Sequence, residues 1–446
     1  MTARWRDLRG PYHGLAVCAA AGMLLLLRGA DNGFRDDDFV FLQHVARHRS
    51  LSDLLAPSPA FAFYRPGAIL LFALESRCFG ANAAGFLGFN IVLHLMNASL
   101  LVSVLQRLGL SRRVAIWSGT LFALGVGHYG KEVLWACTSG GLMAVTSILV
   151  ALRGSLASST RRGLLLVSMG ILLAPLLHEI GLVAPVLVVA GLATRPGFRR
   201  SLRFVPLLFL PAVVWVALLR TMSASHPAYE LGPNLVRAPW MILKYLGFMA
   251  VPLQDSQIGV APWMRAAANI ALLASSVWAW RRGSAASRLL AAWPYVVLAP
   301  FALVPMPDGW FEMRYLYLAA VPYCVLLAML TTGALHRTAG AIRMVIATAV
   351  VCTLAFEWEM ERRWDVLGHA WSGSFEQEGA SSRAGKRHAQ DSSFEITRGS
   401  EPGAVELAAS GRVDRHFDRD RYVTLVGHQD QHPLRRLPGP GLHAGR

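Results

Sequence analysis

The chain has 446 residues, of which 54% are hydrophobic and only 16% are charged, and its formal net charge is +16. A soluble domain carries about 25% charged residues, so this composition excludes a disordered chain, a fibrous repeat and an ordinary soluble enzyme. The apolar residues form runs of roughly 14–20 between short arginine-bearing stretches, which is typical of a polytopic membrane protein.

The positive charge is unevenly distributed along the chain. Residues 365–446 carry 11 acidic and 11 basic residues, so the whole excess lies in residues 1–364. Of the 32 basic residues there, 18 are arginines clustered between apolar runs. Short arginine-rich loops stay in the cytoplasm, so we interpret the excess as a topology signal. Nucleic-acid binding requires one continuous basic face, and we therefore expect no nucleic-acid partner.

The apolar runs and arginine clusters predict an all-α polytopic membrane protein with about eleven transmembrane helices. The predicted spans are 11–28, 83–106, 114–128, 134–152, 163–177, 180–194, 204–221, 262–280, 289–306, 316–334 and 341–357. The segment 235–253 contains Arg237, Lys244 and three prolines, and its crossing would place Arg281 and Arg282 outside, so we predict an outer-surface or re-entrant helix. Eleven spans place the N-terminus in the cytoplasm and the C-terminus outside, as expected for a protein of the bacterial inner membrane.

Two regions differ in composition. Residues 1–363 form the predicted transmembrane domain. Residues 364–446 contain much Gly, Ser, Pro, His and charge with few apolar residues, which predicts a polar, largely disordered C-terminal tail.

Three adjacent aspartates, Asp36, Asp37 and Asp38, stand at the start of the long first outer loop. Charged groups of membrane proteins are usually functional. Three neighbouring carboxylates repel one another, which raises the pKa of at least one of them in a partly dry site. Such a group suits a general base that deprotonates an acceptor hydroxyl. The alternative is a solvated acidic turn that caps the next helix.

Other polar residues fall within spans or at predicted outer turns. Asn90 and His94 are four residues apart and share one helix face, where interhelical hydrogen bonds are the alternative to a site. The pairs His128/Glu132 and His178/Glu179 lie at two predicted outer turns. The other candidates on the outer side are Tyr64, Arg65, Lys131, Glu312, Arg314 and Tyr315. Charge pairing at helix ends is the simpler reading of the two pairs, so we name no metal site or cofactor, with a divalent cation as the alternative.

An arginine at the outer end of a span suits a phosphate, because guanidinium groups make bidentate hydrogen bonds to phosphate oxygens. Arg314 is the first candidate for this role, followed by Arg65 and Lys131. An interfacial belt of Trp, Tyr and Arg is the alternative for the stretch around Arg314.

Taken together, these positions resemble the GT-C glycosyltransferases, and in particular the protein O-mannosyltransferase-like enzymes (glycosyltransferase family 39-like). The resemblance covers about residues 30–364 and depends on six short motifs in order. These are the pair Asp37-Asp38, Tyr64-Arg65-Pro66, Asn90 with His94, His128 through Glu132 to Trp135, Leu177-His178-Glu179 with Pro185, and Glu312 through Arg314 and Tyr315 to Tyr317. The chain differs from the family pattern at His178, where lysine is usual, and at the extra Met313.

The resemblance implies a hexosyl or pentosyl transferase with a GT-C-like bundle and outer-face loop helices. Its donor would be a polyprenyl-phosphate-linked sugar presented from the membrane lipid, and its acceptor a protein, lipid or glycan on the outer face. The family aspartate maps onto the Asp37-Asp38 pair, with Asp37 as the first candidate for the general base, Asp38 second and Asp36 third.

Two other classes of protein fit the membrane pattern. A lipid-linked glycan polymerase or ligase typically has a large late outer loop, whereas the longest outer loop here is the first. A lipid or glycan transporter shows internal repeats with broken spans in matching halves. The segment 235–253 leaves a transporter as an alternative function.

Overall fold

A computed structural model describes residues 33–34, 37–48, 50–57, 61, 64–125, 128–157, 161–195, 198, 203, 205–222, 232–251, 262–303 and 312–337. Within these ranges the regular elements are all helical. They are α1 (Asp37–Arg47), α2 (Leu51–Leu55), α3 (Pro66–Phe79), α4 (Ala83–Arg107), α5 (Arg112–Ala123), α6 (Gly130–Val133), α7 (Ser139–Ser155), α8 (Arg161–Leu177), α9 (Ala184–Ala193), α10 (Val205–Met222), α11 (Gly232–Ala250), α12 (Pro262–Arg282), α13 (Ala285–Ala302), α14 (Leu316–Ala319) and α15 (Val321–Arg337), with 3₁₀ turns at Ala136–Thr138, Glu179–Val183 and Met313–Tyr315.

Local sequence determines several helix ends. The Asn82 side chain accepts a hydrogen bond from the backbone N–H of Ala84 and so caps the start of α4. Pro66 occupies the first turn of α3, where its missing N–H has no consequence. The end of α5 is followed by Gly125, whose φ of 76° lies in the left-handed region that favours glycine. The predicted span 114–128 therefore ends as a helix at Ala123.

A helix overlaps each predicted span between residues 83 and 334, with ends that differ by several residues in places. Three described segments are long and apolar enough to cross a membrane, namely α4, the turn at Ala136–Thr138 together with α7, and α13. The helices Met313–Ala319 and Val321–Thr332, bent by 59°, would make a fourth as one broken span. The predicted spans 11–28 and 341–357 and the tail 364–446 lie outside the described residues, and the count of eleven spans stays a prediction.

Two apolar clusters hold the helices together. The larger one joins α4, α5, α7, α8, α9, α13, α14 and α15. The smaller one lies between α1, α3 and α4, where the Phe72 ring is 5.1 Å from the Phe41 ring and 5.0 Å from the Phe86 ring. Burial of these aromatic rings fixes α1 and α3 against the bundle. As a result, Asp37 at the first turn of α1 has a defined place beside the turn at Ala136–Thr138.

A buried polar network positions the stretch that follows Arg314. The Tyr317 hydroxyl and His94 Nδ1 are 2.8 Å apart, and Asn97 Nδ2 donates to that hydroxyl at 3.3 Å. Thr146 donates to Asn97 Oδ1 at 2.7 Å. Trp293 Nε1 holds the next turn by donating to the Leu318 carbonyl at 2.9 Å. Because buried polar groups are costly when unpaired, these hydrogen bonds hold α4, α7, α13 and α14 in fixed positions relative to one another.

Candidate active site

A small polar cleft lies where the first turn of α1, the start of α3 and three short turns meet. The cleft is narrow, with a cavity volume of about 20 Å³, which is room for about one water molecule. It is lined by Asp37, Phe41, Arg65, Ala68, Glu132, Cys137, Thr138, Gly140, Gly141, Leu177, His178 and Arg314. The cleft thus brings together five polar candidates that are separated by up to 277 positions in the chain.

The structure separates the adjacent aspartates. Asp37 is exposed and lines the cleft. Asp38 is fully buried, and its carboxylate accepts a hydrogen bond of 2.7 Å from the backbone N–H of Cys137. Asp36 lies outside the described residues. The geometry therefore gives Asp37 access to a ligand and uses Asp38 to hold the turn at Ala136–Thr138.

Arg314 lies against aromatic and acidic groups at the wall of the cleft. Its guanidinium carbon is 5.0 Å from the centre of the Trp135 ring and 5.6 Å from that of Tyr315. Its Nε is 3.8 Å from Glu312 Oε1, which is too long for a hydrogen bond. Among the described residues its guanidinium makes no hydrogen bond. These cation–π contacts hold the guanidinium at the cleft wall and leave its donors for a ligand.

Two other cations beside the cleft are paired with carboxylates. Arg65 makes a bidentate pair with Glu179, with Nη2–Oε2 at 2.7 Å and Nε–Oε1 at 2.9 Å. Lys131 contacts Glu312 at 3.2 Å and lies 4.7 Å above the Trp135 ring. Burial alone would raise the pKa of Glu179, but Arg65 lowers it to about 2, so this carboxylate stays ionised.

The Arg65–Glu179 pair predicts a stability change at low pH. Because the folded pKa of Glu179 lies below its usual 4.5, the pair stabilises the fold above pH 4.5, and this contribution disappears as the pH falls towards 2. We expect Glu179→Gln to lower the free energy of unfolding by about 3 kcal/mol at neutral pH and to remove this part of the acid dependence. Thermal unfolding in detergent measures both effects. The exposed Asp53→Asn on α2 serves as the control, and a Glu179→Gln protein as stable as the wild type would contradict the prediction.

Two titratable groups in the cleft are held uncharged near neutral pH. Burial raises the pKa of Glu132 to about 8, against the opposing effect of Arg314. Burial and the nearby Arg65 lower the pKa of His178 to about 3. His178 Nδ1 accepts a hydrogen bond from the backbone N–H of Ile180, which leaves the ring proton on Nε2.

The remaining sequence candidates lie around the cleft rather than in its lining. Asn90 donates to the Trp135 carbonyl at 2.8 Å, and His94 belongs to the Tyr317 network. The Tyr64 hydroxyl donates to the Leu55 carbonyl at 2.9 Å, and its ring stacks on Trp215. His128 is buried with a φ of 65°. These four hold the walls by packing and hydrogen bonding.

Tyr315 stacks on Phe301, with ring centroids 4.0 Å apart. No group of three or more His, Cys, Asp or Glu side chains within the described ranges is arranged to hold a metal ion. The divalent cation considered for the His128/Glu132 and His178/Glu179 pairs therefore has no ligand set in this part of the chain.

Several cleft residues were missed by sequence reasoning. Gly140 and Gly141 lie in the first turn of α7, where a Cβ on Gly140 would overlap Ala68 and a Cβ on Gly141 would overlap Glu132 Oε1. A glycine pair at a helix start is the available sequence signal, because it permits close approach of another group. Outside the cleft lining, Glu75 on α3 was also missed: it is buried, accepts a hydrogen bond from the Ser139 hydroxyl at 3.0 Å, and has its pKa raised to about 8 by burial.

Comparison with known proteins gives one distant likeness. No protein-family model matches the chain, and neither does any curated protein sequence. The archaeal oligosaccharyltransferase AglB from Archaeoglobus fulgidus, in complex with an inhibitory peptide and a dolichol-phosphate, superposes with a TM-score of 0.47 at 13% identity. The match covers 82% of this chain and 56% of that one. The apo form of the A. fulgidus enzyme gives the same TM-score and identity, over 80% and 56%. The chain thus spans little more than half of these structures, and the likeness assigns neither a family nor a function.

Proposed function

We propose that the protein is a membrane glycosyltransferase that moves a sugar from a polyprenyl-phosphate donor to a hydroxyl acceptor on the outer face. This proposal rests on the cleft, which is lined by both the exposed Asp37 and Arg314. A base and a phosphate-binding cation are the two groups that such a transfer requires.

The chemistry is a single displacement. The acceptor oxygen attacks the anomeric carbon of the sugar while the bond from that carbon to the phosphate oxygen breaks. The phosphate leaves with the bonding electron pair and is stabilised by Arg314. Asp37 takes the proton of the acceptor hydroxyl. This route inverts the anomeric centre and requires no protein nucleophile.

The paired cations support this division of roles. Arg65 and Lys131 are held by Glu179 and Glu312, so the charge available to a phosphate comes mainly from Arg314. One segment that could cross a membrane, the turn at Ala136–Thr138 with α7, contributes Cys137, Thr138, Gly140 and Gly141 to the cleft, which suits a donor delivered from the bilayer. The expected setting is the bacterial inner membrane, with protein, lipid or glycan acceptors reached from the outside.

An enzyme and a transporter are distinguished by the fate of the lipid. We expect the purified protein, reconstituted in vesicles with polyprenyl-phosphate sugars and hydroxyl acceptors, to release free polyprenyl phosphate in step with glycosylated acceptor. Movement of intact lipid-linked sugar across the bilayer without any release of polyprenyl phosphate would overturn the proposal.

A further inference from the structure

The charges around the cleft can be assigned pair by pair. Glu179 neutralises Arg65, and Glu312 neutralises Lys131, with nitrogen–oxygen distances of 2.7 and 3.2 Å. Arg314 also approaches Glu312, with its Nε 3.8 Å from Glu312 Oε1. Arg314 therefore shares Glu312 with Lys131, and among the described residues Glu132 is another carboxyl group that acts on its charge.

Glu132 is placed where it would meet a ligand bound to Arg314. It belongs to α6, is 5% exposed, and lines the cleft with Arg314. Within the described part of the chain, the carboxyl oxygens of Glu132 form no hydrogen bond. The missing Cβ of Gly141 provides the room in which Glu132 Oε1 lies. A buried ionised carboxylate without hydrogen-bond donors is strongly disfavoured, whereas a neutral carboxylic acid keeps one donor to offer.

The groups that face Glu132 come from every neighbouring element. They are Arg314 from the turn at Met313–Tyr315 and Glu312 just before it, Arg65 just before α3, Lys131 from α6 itself, Asp37 from α1, Cys137 from the turn before α7, and His178 from the turn after α8. Arg314, Arg65 and Lys131 lower the pKa of Glu132, but burial outweighs them and keeps it near 8.

We propose that Glu132 acts as a neutral carboxylic acid that donates a hydrogen bond to a phosphate oxygen of the donor, while Arg314 supplies the charge. This role rests on the proposed function, because it assigns the phosphate of that donor to the cleft. An ionised Glu132 would balance Arg314 itself and repel the phosphate. The neutral form instead adds a donor to an oxygen that has several lone pairs to satisfy.

The protonation state then controls affinity. A phosphodiester keeps one negative charge across the range in which Glu132 titrates. The apparent affinity for the phosphodiester should therefore fall about tenfold for each pH unit above about 8, because each unit lowers the fraction of protein with protonated Glu132 about tenfold. Glutamine is neutral at every pH and still carries N–H donors, so Glu132→Gln should retain binding and lose the pH dependence.

The test titrates a phosphodiester probe, undecaprenyl-phosphomannose, into detergent-purified protein at several pH values between about 7 and 10. We expect wild-type affinity to fall above pH 8, Glu132→Gln to bind within a few-fold of the wild type at every pH, and Glu132→Ala to bind weakly throughout. Glu75→Gln is the matched control, since Glu75 is buried with a similarly raised pKa but does not line the cleft. It should retain the wild-type pH dependence.

Each other outcome overturns the assignment. If Glu132→Gln binds as weakly as Glu132→Ala, an ionised or metal-binding carboxylate is required. If Glu132→Gln keeps the wild-type pH dependence, or Glu75→Gln removes it, the titrating group is not Glu132. A wild type that transfers sugar but gives one of these results disproves the role of Glu132 alone. A wild type that neither binds the probe nor transfers sugar disproves the proposed function as well.

Discussion

Replacing Asp37 by asparagine is expected to slow sugar transfer by about 10²–10⁴-fold, the usual contribution of a positioned general base. Asp37 is exposed at the first turn of α1 and lines the cleft. Asparagine keeps the size of the side chain and its capacity to accept hydrogen bonds from the helix start, but it cannot take the acceptor proton. Donor binding and thermal stability should change little.

The neighbouring aspartate gives the matched comparison. Asp38 is buried and accepts a hydrogen bond from Cys137, so Asp38→Ala leaves a buried N–H without this acceptor and should lower the free energy of unfolding by about 1–3 kcal/mol. The exposed Asp53→Asn should affect neither property. Initial rates and melting temperatures of the three variants check the assignment. Equal loss of activity from Asp37→Asn and Asp53→Asn would contradict it.

Replacing Arg314 by alanine should lower kcat/KM by about 10²–10⁴-fold, because hydrogen bonds to charged groups contribute about 1.5–3 kcal/mol each and a phosphate can accept two from a guanidinium. Arg314→Lys keeps the charge but loses the planar pair of donors and alters the cation–π contacts with Trp135 and Tyr315, so we expect partial recovery only.

Exposed Arg77 on α3 provides the control for Arg314. Arg77→Ala should behave as the wild type, since a solvent-exposed arginine contributes little to the field inside the cleft. Kinetics at varied donor concentration separate an effect on binding from one on turnover. An Arg314→Ala enzyme with wild-type kcat/KM would exclude Arg314 from phosphate binding.

Most of the helical segments could be predicted, because long apolar runs are typical of helices in a membrane protein. Segments 83–106 and 262–280 match Ala83–Arg107 and Pro262–Arg282 closely. Segment 114–128 was predicted too long, since Gly125 and His128, both with positive φ, end the helix and turn the chain. The glycine after the apolar run was a visible stop signal. Segment 235–253 is one helix, Gly232–Ala250; like Pro262–Arg282, it is not among the described helices that qualify as spans, so whether it crosses the membrane stays a prediction.

The candidate residues were also visible in the sequence, but their relations were not. Hydropathy cannot show that Glu179 belongs to Arg65, more than 100 positions away, or that Glu312 belongs to Lys131. Adjacent Asp37 and Asp38 look equivalent in the sequence, yet successive helix positions point about 100° apart, so one reaches the cleft and the other is buried. Burial of Glu132 is likewise a tertiary property, which depends on the space left by Gly141.

The central claim is that Asp37 and Arg314 act in one cleft on one lipid-linked donor. The most direct measurement is the rate of polyprenyl phosphate release per protein at saturating donor and acceptor, for wild type and Asp37→Asn side by side, with folding checked by thermal unfolding. The account predicts steady release by the wild type and a rate at least about 100-fold lower for folded Asp37→Asn. Release at the wild-type rate by the folded variant would contradict it.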